Sequence, residues 1–173
     1  MLPVGLGIAA LAADQLTKEL VSAWLGPGQT DHRVDVVGRL VAIHYVENRG
    51  VAFGLFQGQA MLATAMALLV LVFLARAYRE SGTASWRVAC GCGLIVGGAI
   101  GNLSDRLRLG YVVDFVAVFS WPKFNVADAA ITVGALLLVW HYLRDQRQEE
   151  NSAREGGSPV PSGLVLLRHD GDR

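Results

Sequence analysis

Twenty-six consecutive residues, 50–75, carry no charge between Arg49 and Arg76. A bilayer core takes about 20 helical residues, so this run is long enough to cross one alone. Three shorter uncharged runs flank it: 1–13, 88–104 and 129–143. Each must take polar residues into the membrane, or to its edge, to complete a crossing. The runs predict four helices, over about 2–22, 59–78, 86–104 and 125–143. Charge is distributed accordingly. Lys, Arg, Asp and Glu make up 17% of the 173 residues, against about 25% in soluble domains. Eleven of these thirty residues fall after 143. The fifteen basic and fifteen acidic residues cancel, which excludes a strongly basic nucleic-acid binder.

The fold class expected is therefore an all-α membrane protein of four transmembrane helices, with one integral membrane domain over 1–143. The first run ends near Ala10-Leu11-Ala12, a small-x-small pattern of the kind signal peptidases cut. No Lys or Arg precedes it, however, and apolar positions continue through Leu16, Leu20, Val21, Trp24 and Leu25. It reads as a retained first helix. Val34 to Val37 and Leu40 to Val46 are β-rich and broken at Gly38, which predicts an extramembrane hairpin. Tyr111 to Phe119 is a third such run, placed to join it. Residues 144–173 are charged, with Gly156, Gly157, Pro159, Pro161 and Gly163, and are expected to be disordered. Arg76, Arg79 and Arg87, with Arg144, Arg147 and Arg154, place both termini in the cytoplasm. Cys90 and Cys92 point to opposite sides of a helix and read as packing residues.

Four alternating spans bring four helix ends to one membrane face, and the polar residues fall at those ends. They are Asp14, Gln15 and Lys18; Asn48, Arg49 and Gly50; Asn102, Asp105 and Arg106; Asn125 and Asp128. Counting back about 20 residues from Arg144 puts Asp128 about one turn inside its span, at a cost of roughly 2.5–3.5 kcal/mol if unpartnered. It caps its helix with Asn125, or it faces a wet cavity. Asp14 and Lys18, at i and i+4, form a structural ion pair or part of a site. Asp105 and Arg106 read equally as interfacial charge. Asp114 is the only charge between Arg108 and Lys123. In a strand it shares an apolar side with Val112 and Val116. It is either an exposed loop acid or a partner for Asp128. Two carboxylates in a low-dielectric site share a proton, so one can activate water while the other polarises a carbonyl. No metal, nucleotide or other cofactor motif is present. His32, His44, His141 and His169 read as structural or solvated.

Five segments, in order, resemble lipoprotein signal peptidase, the type II signal peptidase family of bacteria. They are Asp14-Gln-Leu-Thr-Lys18; Asn48-Arg-Gly50-Val-Ala-Phe53-Gly54; Gly97-Gly-Ala-Ile-Gly-Asn102-Leu-Ser-Asp105-Arg106; Gly110-Tyr-Val-Val-Asp114-Phe115; and Phe124-Asn125-Val-Ala-Asp128. The resemblance implies an aspartic endopeptidase of the inner membrane. It would cleave diacylglyceryl-modified prolipoproteins just before the lipidated cysteine, with its site near the periplasmic face, and would be the target of globomycin. It places the catalytic pair on Asp114 and Asp128, and other site residues on Asp14, Lys18, Asn48, Asn102, Arg106 and Asn125. Gly50, Gly54 and Gly110 match motif glycines. A small periplasmic β-cradle accompanies the four helices, no cofactor is implied, and a monomer in contact with membrane lipid is expected. From the residues themselves, Asn125 would orient a carboxylate or the scissile carbonyl. Asn102 and Arg106 would hold carboxylates or substrate backbone. Asp14 and Lys18 would brace the site, and Asn48, Gly50 and Gly54 would turn the chain into the next helix. Two rivals remain at this level. A proton-relay transporter predicts acids spread through the bilayer depth. A non-enzymatic assembly factor predicts a small-residue face such as Gly91, Gly93, Gly97, Gly98 and Gly101.

Overall fold

The computed structural model describes residues 2–49 and 86–155. The chain divides into two compact units, Met1–His141 and Tyr142–Arg173; everything below up to His141 belongs to the first. Three described helices are α1 (Leu2–Leu25), α2 (Trp86–Leu109) and α3 (Val126–Glu155). Three strands are β1 (Arg33–Val37), β2 (Val41–Asn48) and β3 (Val112–Val118). The helices occupy three of the four expected stretches, and the fourth, 59–78, lies outside the described residues. The architecture is mixed rather than all-α, because the β-branched runs pair into an antiparallel sheet of order β1-β2-β3.

Local chemistry sets the boundaries. Pro3 sits in the first turn of α1, where a missing N–H costs nothing. α1 ends where Gly26 N–H bonds back to the Ser22 carbonyl at 3.0 Å, ahead of Pro27. Gly38 turns β1 into β2 with φ 50°, and Gly110 ends α2 with φ 81°, a backbone conformation that glycine adopts without penalty. Phe119 also has a positive φ, 46°, which costs an L-residue roughly 1–2 kcal/mol. α3 runs past its expected end at 143 to Glu155. Residues 144–155 were expected to be disordered, but they contain neither Gly nor Pro, and helix formers such as Arg, Gln and Glu carry the ladder on.

Small residues bring the helices together. A Cβ on Gly93 would meet the Pro3 carbonyl, and one on Gly97 the Gly7 carbonyl. Numbers rise together on both helices, so α1 and α2 are parallel. On the other side of α2, Gly91 faces Gly134 and Gly98 faces Ala127, so α3 is antiparallel to it. The sheet packs on the last turn of α1, where Val21 and Leu25 form a core with Tyr45, Val113 and Phe115. That packing carries Asp114, between Val113 and Phe115, to the end of α2 and the start of α3.

Large apolar side chains remain exposed along α1 at Val4, Ile8, Leu16, Leu20 and Trp24. Their spacing in multiples of four makes a stripe that winds about halfway round the helix, because four residues advance roughly 40° past a full turn. α3 exposes Val133, Leu136, Val139 and Trp140. Among the described residues, α2 is long and apolar enough to cross a membrane, and Val126–His141 forms a shorter apolar helix.

Candidate active site

The start of α3 is capped reciprocally. Asn125 Oδ1 accepts the Asp128 backbone N–H at 2.9 Å, and Asn125 N–H donates to Asp128 Oδ2 at 3.2 Å. Capping therefore accounts for one oxygen of Asp128. The other, Oδ1, accepts from Asn102 Nδ2 at 2.8 Å. Asn125 is fully buried. Its Nδ2 is shared between Asp114 Oδ1 at 2.8 Å, Asn102 Oδ1 at 3.1 Å and the Val113 carbonyl at 3.3 Å. Asp114 Oδ2 accepts from Asn48 Nδ2 at 2.8 Å. Three asparagine amides thus hold the two carboxylates, from β2, from α2 and from the N-cap of α3.

Asp114 is 3% exposed, whereas Asp128 is only partly buried. Burial, and then the Asp128 carboxylate, push Asp114 up to about 7, against the pull of its two asparagine donors and of Lys18. The pair can therefore hold one proton near neutrality. Water or a carbonyl would reach it from the Asp128 side.

Beneath the pair lies a buried ion cluster. Lys18 Nζ is 2.8 Å from Asp14 Oδ2 and 2.9 Å from Asp105 Oδ2. It also donates to Asn102 Oδ1 at 2.9 Å. An ammonium only donates, so Lys18 forces Asn102 to turn its oxygen inward and its NH2 toward Asp128. Asp14 Oδ1 accepts the Ala127 N–H at 2.8 Å, placing a carboxylate on the positive end of α3. Asp105 Oδ2 accepts the Val113 N–H at 3.2 Å, tying α2 to the strand that carries Asp114. Gln15 Nε2 bridges the two acids, at 3.2 Å from Asp14 Oδ2 and 3.1 Å from Asp105 Oδ1.

Asp14, Lys18, Asn48, Asn102, Asn125, Asp114 and Asp128 come together in one network. Arg106 bonds its own helix at the Asn102 carbonyl, 3.4 Å away, and feels the fields of Asp128 and Asp114. Asn48 does more than turn the chain: it closes β2 opposite Val112 and grips Asp114. Gly50 and Gly54 lie outside the described residues. Gly110 terminates α2. Asp105 and Gln15 were missed as site residues. Asp105 is 3% exposed and is held by Lys18 and the Val113 N–H, so it is not solvated surface charge; its spacing of three from Asn102 on a helix is the available signal.

Residues 6–144 match the family described as signal peptidase (SPase) II. A lipoprotein signal peptidase of Moorella thermoacetica is 38% identical over 138 residues, spanning 80% of this chain and 90% of that one. Another, from Syntrophomonas wolfei, is 41% identical over 140 residues, spanning 81% and 91%. A solved structure described as a bacterial membrane enzyme, determined by the in meso method, shares the fold with TM-score 0.75. It is 23% identical and is matched over 83% of this chain and 88% of that one. The paired carboxylates, their asparagine supports and the lysine cluster all lie inside the matched region, and this chain belongs to the signal peptidase II family.

Proposed function

We propose that the protein is a membrane-embedded aspartic endopeptidase that removes signal peptides from diacylglyceryl-modified prolipoproteins by cleaving before the lipidated cysteine. The observation that carries this reading is the shared grip of Asn125 and Asn102 on Asp114 and Asp128, one carboxylate buried and one reachable. In the mechanism, the ionised carboxylate takes a proton from water, and the water oxygen bonds to the scissile carbonyl carbon. The protonated carboxyl gives its proton to the carbonyl oxygen. The resulting gem-diol gives an O–H proton to the ionised carboxylate as its C–N bond breaks, and the cysteine nitrogen leaves with the proton of the other carboxyl. Asn48, Asn102 and Asn125 fix the carboxylates, Asp14 and Lys18 brace them, and Arg106 stands where it can meet substrate backbone.

Four crossings with a periplasmic site and both termini cytoplasmic fit the same frame. Parallel α1 and α2 need a return between them, and the uncharged run 50–75 is long enough to make it. The sheet would then be the periplasmic cradle. The network draws on one chain throughout, so a monomer suffices. The polar residues gather at one end of the helices, which favours surface chemistry over a transmembrane relay.

The test is cleavage of a lipidated lipobox peptide by purified protein, alongside Asp114→Asn and Asp128→Asn separately. Each variant is expected to lose at least about 10³-fold in kcat. Near-normal turnover in either would remove that carboxylate from the chemistry.

A further inference from the structure

The far tip of the sheet exposes a contiguous apolar surface. Phe119 is 79% and Trp121 65% exposed, and Val37 and Leu40 stand open beside them. They are neighbours by register: Val41 pairs with Val118, Leu40 N–H bonds the Val37 carbonyl at 3.0 Å, and Phe119 N–H bonds the Leu40 carbonyl at 2.7 Å. Phe119 holds its outward ring on a positive φ. Arg39 and Lys123 flank the patch, both exposed, and residues 36–40 and 118–123 contain no acid.

The depth of this surface can be read from α1. The sheet packs on Val21 and Leu25, in the same turn that presents Leu20 and Trp24 outward at the end of the exposed apolar stripe. α1 has 24 residues, or about 36 Å of helix, against about 30 Å of hydrocarbon. On the proposed four-crossing topology, its last turn lies at the membrane boundary, and the sheet lies there with it. The opposite boundary is marked by Trp86 and Trp140, with the Arg87 guanidinium 5.4 and 5.6 Å from their ring centres. Tryptophans thus gather at two levels, as in an aromatic belt, and Trp121 stands on the level of the sheet.

We propose that the sheet tip, Val37, Leu40, Phe119 and Trp121 with Arg39 and Lys123, is a membrane-docking edge that seats in the headgroup layer of an anionic leaflet. The apolar groups enter the acyl boundary and the two cations meet lipid phosphates. Docked in this way, the sheet cannot tilt away from the surface, and Asp114 on β3 stays at a fixed height above the acyl chains.

The test uses the full chain with Trp24, Trp86 and Trp140 changed to Phe, leaving Trp121 as reporter. It is reconstituted in phosphatidylcholine vesicles with or without about 30% phosphatidylglycerol. Lipids brominated near the top of their acyl chains are expected to quench Trp121 at least about twofold, more with phosphatidylglycerol than without. Phe119→Ser with Leu40→Ser is expected to abolish most of that quenching and leave turnover of a detergent-dispersed substrate unchanged. Quenching by aqueous iodide and not by bromolipid would overturn the proposal. Shielding of Trp121 by substrate peptide in detergent would overturn it in favour of a substrate seat. Equal quenching in both vesicle types would overturn the role of Arg39 and Lys123. The fluorescence arm does not depend on the protein being a peptidase.

Discussion

Asn125 Nδ2 stands 2.8 Å from Asp114 Oδ1, while the same side chain caps the helix that carries Asp128. One amide therefore sets the position of both carboxylates. Asn125→Ala removes a helix cap worth about 1 kcal/mol. It also strips a buried donor from Asp114, the Val113 carbonyl and Asn102, at about 1–3 kcal/mol for groups left unsatisfied. Stability should fall by about 2–4 kcal/mol. Lost preorganisation should lower kcat by about 10²-fold. A chemical melt in detergent and a cleavage assay separate the two effects; a melt shift with unchanged kcat would show that Asn125 only caps.

The Asp114 proton gives a pH dependence with a definite sign. Its folded value is raised from 3.8 to about 7. Between those values the folded chain holds a proton that the unfolded chain has lost. The group's contribution to stability is therefore full below about pH 4 and is lost as pH rises through about 7. Catalysis by a singly protonated pair follows the same limb. Above about pH 7, kcat should fall tenfold per unit. A pH–rate profile on a lipidated peptide checks this; a flat profile to pH 9 would contradict it.

Lys18 bridges two buried carboxylates and orients Asn102. Breaking a buried pair by removing one partner costs about 3–5 kcal/mol, so Lys18→Met should destabilise the protein by that order. Lys18→Arg keeps the charge but does not fit a point-charge seat with three acceptors within 2.9 Å. It should recover part of the stability and less of kcat, because Asn102 is no longer held toward Asp128. Equal recovery of both would mean that Lys18 acts through stability alone. For Asp14→Asn, which keeps an acceptor for Ala127 N–H, the melt should drop more than turnover.

The charge gaps in the sequence were enough to place α1, α2 and α3, and the β-rich runs were enough for β1, β2 and β3. Asp114 and Asp128 stood out through the five-segment resemblance, and the structure brings them into one hydrogen-bonded network through Asn125 and Asn102. What escaped was pairing over distance. Nothing near Asp105 says that it will meet Lys18 across 87 positions of chain, because local spacing reports only the face of its own helix. Asn48 was read from its neighbours Gly50 and Gly54 as a turn residue. Its grip on Asp114 arises from β2–β3 register, which depends on a bulge between Ile43 and Val46 that no local pattern announces. The end of α3 is hidden because a charge-rich stretch reads as disorder, whereas Arg, Gln and Glu are also good helix formers.

The glycines separate packing from propensity. A Cβ on Gly97 would strike the Gly7 carbonyl, which is backbone and cannot swing aside, whereas one on Gly5 meets nothing within 4 Å. Gly97→Ala should therefore force α1 and α2 apart and cost about 1–3 kcal/mol as overpacking. Gly5→Ala should gain up to about 1 kcal/mol from helix propensity. Gly101→Ala lies between these. Its Cβ would come 2.6 Å from Asp14 Oδ2, a side chain that can move only by loosening its hold on Lys18 and Ala127. Its loss should therefore appear in turnover as well as in the melt. Measuring all three in one detergent orders them directly: Gly5→Ala above wild type, Gly97→Ala lowest in stability, and Gly101→Ala with the largest drop in kcat for its change in stability. A Gly101→Ala variant with full turnover would mean that the ion cluster tolerates displacement, and that Asp14 does not set the position of α3.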